Sequence, residues 1–131
     1  MRSDEERWFV EPATMAEVEE RLLRAESQLE ELTTTHMSLA DAAANAEADW
    51  KSHRDRVIVR IANSGERSAA DYREAVARQE IDPETGKSGD ELYRTYKVTE
   101  AAAESSARAM RSIESRLNSF QTLAANIRKQ V

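Results

Sequence analysis

Ten cationic side chains and all three tyrosines of this 131-residue chain fall between residues 51 and 97. Lys51, Arg54, Arg56, Arg60, Arg67, Arg73 and Arg78 come first, then Lys87, Arg94 and Lys97, with Tyr72, Tyr93 and Tyr96 interleaved. Guanidinium groups grip phosphate through paired N–H donors, and exposed rings stack on unpaired bases, so this mixture suits nucleic-acid contact. Nine acidic residues share the segment. Asp55, Glu74 and Asp90 are placed to pair with neighbouring arginines, and a solvated, ion-paired helix end is the plainer reading of the same residues. The side chains that would carry nucleic-acid or partner contact are Arg54, Arg56, Arg60, Arg67, Tyr72, Arg73, Arg78, Tyr93, Arg94 and Lys97.

Other chemistry finds thinner support. Both histidines fall on one face of a long helical pattern, with Asp49 one turn before His53 and with Glu100 and Glu104 expected near it. Carboxylates and imidazole inside a helical bundle can hold metal, but the Glu-x-x-His spacing of bundle metal sites is absent, so a polar register residue or a local ion pair is expected and no metal. Gly86-Lys87-Ser88 matches the end of a phosphate-binding loop, yet the glycine required five residues earlier is Ile81. A lysine-bearing turn is expected there. Neither histidine has a serine partner that the sequence reveals, and there is no cysteine. The expectation is therefore a non-enzyme without a cofactor.

Charge is unevenly spread. Residues 1–50 carry 4 basic and 13 acidic side chains, a net of −9, whereas 51–97 have a net of +1 and 98–131 a net of +2. Any nucleic-acid contact must then use the central or C-terminal part. Glu17, Glu19, Glu20, Glu26, Glu30 and Glu31 form a solubilising face, or else a surface for a basic protein or a nucleic-acid mimic. Met1–Arg7 is charged and leads into no apolar run, and no stretch is apolar enough to span a bilayer. No secretory signal and no membrane association are expected, and a cytoplasmic location follows.

The elements that would position these residues are helices. With 3 Gly, 2 Pro and few aromatics, the composition excludes a sandwich or barrel. From Met15, apolar or small residues recur at alternating steps of three and four through Val18, Leu22, Ala25, Leu29, Leu32, His36, Leu39, Ala43, Ala46, Trp50, His53, Val57 and Ile61. That heptad rhythm predicts a helix over about 14–62, with Thr14 as its N-cap and Glu17 completing a capping box. A short helix is expected over 68–80, capped by Ser68, and a third over 90–130. Leu92, Tyr96, Thr99, Ala103, Ser106, Met110, Ile113, Leu117, Phe120, Ala124, Ile127 and Val131 form the matching seam of the third. The fold class is all-α: a long antiparallel, coiled-coil-like hairpin over 13–131 with a short helix at the elbow, preceded by an arm over 1–12 that holds Trp8-Phe9-Val10. Setting Ile61 opposite Leu92 puts Trp50 near Ala103 and Ala43 near Met110, large side chains against small. Seam residues Leu22, Leu29, Leu32, Leu39, Trp50, Val57, Met110, Ile113, Leu117 and Phe120 supply the core and, because one hairpin covers only a stripe of each helix, an oligomeric bundle.

Two stretches together resemble a known group. They are Ala46-Glu47-Ala48-Asp49-Trp50-Lys51, continued by Gly65-Glu66-Arg67-Ser68-Ala69-Ala70-Asp71-Tyr72-Arg73, and Glu91-Leu92-Tyr93-Arg94 through Ala107-Arg108-Ala109-Met110-Arg111-Ser112-Ile113 to Leu123-Ala124-Ala125-Asn126-Ile127-Arg128. Over residues 40–131 the pattern resembles small, all-helical and mostly uncharacterised proteins of phages that infect actinobacteria. The resemblance implies an early-region setting beside recombination and replication functions, and no catalytic residues. The expected function is a helical accessory protein that self-associates and assists DNA recombination or replication by binding DNA or a DNA-handling protein. An anti-defence protein that inhibits a host protein, and a coiled-coil virion or scaffold component, are the alternatives.

Overall fold

The computed structural model describes residues 14–65 and 67–129, and these form three helices: α1 (Met15–Asn63), α2 (Ala70–Gln79) and α3 (Gly89–Lys129). The Trp8-Phe9-Val10 arm and Val131 lie outside the described residues. Among the described residues the only extended pairing is an isolated antiparallel bridge between Ile81 and Ser88.

Helix α1 opens with the capping box that its sequence predicts. The Thr14 amide donates to Glu17 Oε2 at 3.3 Å, and the Glu17 amide donates to Thr14 Oγ1 at 3.2 Å. Two of the donors that a helix start leaves unpaired are thereby satisfied. No Gly or Pro interrupts the next 49 residues. The helix ends where the Ser64 amide bonds the Arg60 carbonyl and the Ser64 hydroxyl bonds the Ile61 carbonyl at 2.6 Å. Helix α2 departs from expectation. Its N-cap is Ala69, without any side-chain cap bond, and not Ser68. Asp71 in the first turn still favours that end through the helix dipole. Helix α3 is capped by Ser88, whose Oγ accepts from the Glu91 amide at 3.2 Å.

Every position of the α1 seam from Met15 to Ile61, and of the α3 seam from Leu92 to Ile127, is buried or half-buried. The chain divides into two compact units: a central unit, Thr35–Ala107, and a terminal unit combining the described parts of Met1–Thr34 and Arg108–Val131. In the terminal unit Val18, Ala25, Ile113 and Ala124 are buried. Leu22, Leu29, Leu32, Leu117 and Phe120 are half-buried there.

The central unit has its core where α2 meets the long helices: Trp50, Val57, Ile61, Ala77 and Leu92, with Val76, Tyr93 and Tyr96 against them. Trp50, 2% exposed, meets the Tyr93 ring edge-on with centroids 5.3 Å apart. Farther along, His36 Nδ1 lies 2.6 Å from Ser106 Oγ. Within this unit the contacts therefore run in opposite order along α1 and α3. They also correct the expected register. Trp50 faces Tyr93 and not Ala103, which lies ten residues on, about 15 Å of helix rise. The cause is α2: Ile61 does share a core with Leu92, but Ala77 stands in the same cluster, so the end of α1 packs on α2 as well as on the start of α3.

Candidate interaction site

The sequence after α2 reads Glu80-Ile81-Asp82-Pro83-Glu84-Thr85-Gly86-Lys87-Ser88, and its local chemistry closes it into a tight turn. The Asp82 amide donates to the Lys87 carbonyl and the Gly86 amide to the Asp82 carbonyl, both at 2.8 Å. Asp82 Oδ2 accepts from the Thr85 hydroxyl at 2.8 Å and from the Thr85 amide at 3.2 Å. Gly86 takes φ of +72°, a left-handed conformation that glycine adopts without steric cost. The Gly86-Lys87-Ser88 stretch is thus part of this turn and of the α3 cap, with no phosphate-cradling strand before it.

Asp82 is the anchor of the turn and was not among the residues expected to matter. It is 1% exposed. Its Oδ1 accepts from Arg56 Nη2 at 2.8 Å and lies 3.7 Å from His53 Nδ1. Burial pushes the Asp82 carboxyl up, but the Thr85 hydroxyl and amide, the Arg56 guanidinium and the Glu84 amide together hold it below the ordinary carboxylate range. His53, 2% exposed, places Nε2 at 2.7 Å from the Ala77 carbonyl oxygen. A carbonyl only accepts, so Nε2 carries the proton in that bond. The imidazole thus ties α1 to α2 and faces the turn with its other nitrogen. Its partners are Ala77 and Asp82, which corrects the expected neighbourhood of Asp49, Glu100 and Glu104. Among the described residues no group of three or more His, Asp or Glu side chains is arranged to hold a metal ion.

The other histidine also has an unexpected partner, since His36 pairs with Ser106. The Ser106 hydroxyl donates to the Ala103 carbonyl at 2.9 Å, one turn back in its own helix. With its single proton on that carbonyl, Oγ accepts from Nδ1–H of His36; with the proton turned to the imidazole, Nδ1 is the acceptor. Ser106 is buried in mid-helix, where the surrounding amides are spent on helix bonds.

The ten expected contact residues separate into groups. Arg56 bonds Asp82 and also reaches Glu84 at 3.3 Å, Arg60 bonds Glu80, and Arg54 lies 3.4 Å from Asp55. The Glu80 carboxylate raises the Arg60 guanidinium above its ordinary value. Arg56 and Arg60 line an open groove of 960 Å³ beside Val59, along the outward face of α1. A second cleft, of 380 Å³, joins Arg78 of α2 to Tyr93, Arg94, Lys97, Val98 and Ala101 of α3. There Arg78 donates to Asp90 at 3.0 Å and lies 4.4 Å over the Tyr93 ring. Lys97 lies 4.7 Å over Tyr96 and 3.6 Å from Glu100. Hydrogen bonding to Glu100, then burial, raises the Tyr96 phenol above its ordinary value.

Tyr93 is therefore a packed core ring that carries two cations, Arg78 at 4.4 Å and Lys97 at 5.7 Å, whereas Tyr72 stands 55% exposed on α2. Arg67 and Arg94 are exposed, and Arg73 is half-buried with its Nε unpartnered. No helix among the described residues is long and apolar enough to cross a membrane. Comparison with protein-family models, with curated proteins and with solved structures finds no match to this chain.

Proposed function

We propose that the protein is a non-enzymatic helical accessory protein that works by association. In this reading α1 and α3 form one coiled-coil-like antiparallel hairpin with α2 at its elbow, and copies of the hairpin share a bundle. The elbow then meets a DNA-handling protein or DNA in recombination or replication. The phage resemblance supplies that context. The observation that carries the reading is the partial cover of the seam: Leu22, Leu29, Leu32, Leu117 and Phe120 keep exposed surface in the terminal unit, though their spacing is that of core positions. A helix from another copy laid along them would remove that surface from water.

The ion pairs of the central unit favour a protein over DNA as the direct partner. Arg56, Arg60 and Arg78 already hold carboxylates, so a phosphate would have to displace Asp82, Glu80 or Asp90. Arg67, Arg73, Arg94 and Tyr72 remain for nucleic acid. Light scattering on a sizing column tests self-association, with a monomer at all concentrations counting against it. Titration with single- and double-stranded DNA at several salt concentrations tests direct contact, and absence of binding at low salt removes it. Affinity capture from host lysate tests the protein partner. A single stoichiometric host protein, with no effect of DNA, would favour inhibition of that host protein through the acidic face of α1. Presence in purified particles would favour a virion or scaffold role.

A further inference from the structure

The two units carry surfaces of opposite charge, each arranged around one exposed apolar side chain. On α1 of the terminal unit, Glu19, Leu23, Glu26 and Glu30 follow at steps of four, three and four, which aligns them on one stripe of the helix. Leu23 is 68% exposed, and none of these three glutamates has a cationic partner among the described residues. The neighbouring Glu20 is the one held, by Arg24 at 3.0 Å. In the central unit, the cleft between α2 and α3 presents the complement. Val98 is 62% exposed, Arg94 and Lys97 stand four and one residues before it, and Arg78 closes the other wall. Only Asp90 offsets these three cations within the cleft, and the Lys97 contact to Glu100 is a long, solvent-exposed one.

We propose that a second copy of this chain docks its Glu19–Leu23–Glu26–Glu30 stripe in this cleft, with Leu23 against Val98 and Ala101 and the glutamates toward Arg94 and Lys97. Charge complementarity selects this occupant. A leucine ringed by free carboxylates needs an apolar spot ringed by cations, and the chain itself supplies both halves in equal amount. The contact is heterologous, since stripe and cleft are different surfaces, and so each copy can give one and receive another, building a closed ring or a longer series. This goes beyond association through the leucine seam and is separable from it. Apolar seam packing persists in salt, whereas exposed ion pairs are screened within about 8–10 Å at physiological ionic strength.

The test is sedimentation velocity on the full chain between about 50 and about 500 mM NaCl, a range over which surface ion pairs lose most of their strength. One variant carries Glu19→Lys, Glu26→Lys and Glu30→Lys, the other Arg94→Glu and Lys97→Glu. The unaltered chain is expected to show a salt-sensitive association step, weakened about tenfold at the higher salt, and each variant alone is expected to lose it. Mixing the two variants restores it, because the reversed stripe fits the reversed cleft and the two native surfaces still fit each other. Restoration also shows that both variants are folded. Leu23→Gln, at an exposed position, is expected to weaken the step while leaving the helical circular dichroism unchanged. The proposal is overturned by an unaltered chain with no salt-sensitive step, by a step that survives either set of reversals, or by no recovery on mixing. A salt-insensitive oligomer remaining in every sample would mark seam association alone.

Discussion

The Trp50 indole meets the Tyr93 ring at 73° between planes, and Arg78 from α2 lies on the same tyrosine. One ring thus receives α1, α2 and the opening of α3, which makes Trp50 the packing centre of the central unit. Replacing it with Ala should cost about 3–5 kcal/mol, as expected for emptying a buried aromatic site. Trp50→Phe keeps an edge-on contact and should cost less than half as much. Urea denaturation followed by circular dichroism measures both, and equal small losses would show that the indole is not central.

Gly89 tests how closely α3 approaches α2. A Cβ placed there would lie 1.9 Å from the Ala77 carbonyl oxygen and 2.7 Å from the Arg78 Cα, both backbone atoms with little room to move. The Gly89 amide also donates to the Glu80 carbonyl at 2.8 Å. Gly89→Ala, which improves intrinsic helix propensity, should nevertheless destabilise by about 1–3 kcal/mol through overpacking. A stabilised variant would mean that the helices are not in this contact. Because the same Ala77 carbonyl takes the His53 proton, the variant should also perturb the His53 ring resonances in NMR spectra.

Acid should act through Asp82. Its carboxyl is held below the ordinary range in the folded chain, so the stabilisation is fully present above the unfolded value of about 3.9 and is lost as pH falls through the lower folded value. Asp82→Asn, which leaves Arg56 without its buried partner, should cost about 2–3 kcal/mol at neutral pH. The gap in stability between the two proteins should narrow steadily below about pH 4. Melting curves from neutral pH to about pH 2 read this directly. A gap that stays constant throughout would show that the Asp82 charge contributes nothing.

How much of this was legible follows from which interactions are local. The Thr14–Glu17 box and the long α1 and α3 rhythms depend on neighbours three or four residues apart, and the spacing alone exposes them. Ser88 and Glu91 have the same cap spacing, which gave a signal for the α3 start at Gly89 that the Asp90 boundary passed over. Register was not legible, because a seam that recurs at alternating steps of three and four still meets its partner after a slip of ten residues. What fixes it is the insertion of α2, through Ala77 on His53 and through the bare backbone at Gly89. Those contacts join residues far apart in sequence. The cation cluster was visible as composition, but its division into a carboxylate-paired groove and the Arg78–Arg94–Lys97 cleft depends on where Asp82, Glu80 and Asp90 come to rest.

The leucines of α1 offer a direct comparison between seam and surface. Leu29 is half-buried at a seam position of the terminal unit, as is Leu117 on α3, whereas Leu23 is largely exposed. Leu29→Asp and Leu117→Asp each bring a charge into apolar surroundings and should lower stability by on the order of 2 kcal/mol or more. Leu23→Asp changes a side chain already in water and should stay within about 0.5 kcal/mol. The seam substitutions should also abolish any association that persists at high salt, because the same leucines would face the neighbouring copy. Leu23→Asp should leave that association intact. Thermal melts and sedimentation on the three variants read both properties at once. Unchanged melting of both Leu29→Asp and Leu117→Asp would contradict the seam, while loss of stability without loss of the oligomer would confine the seam to the interior of a single chain.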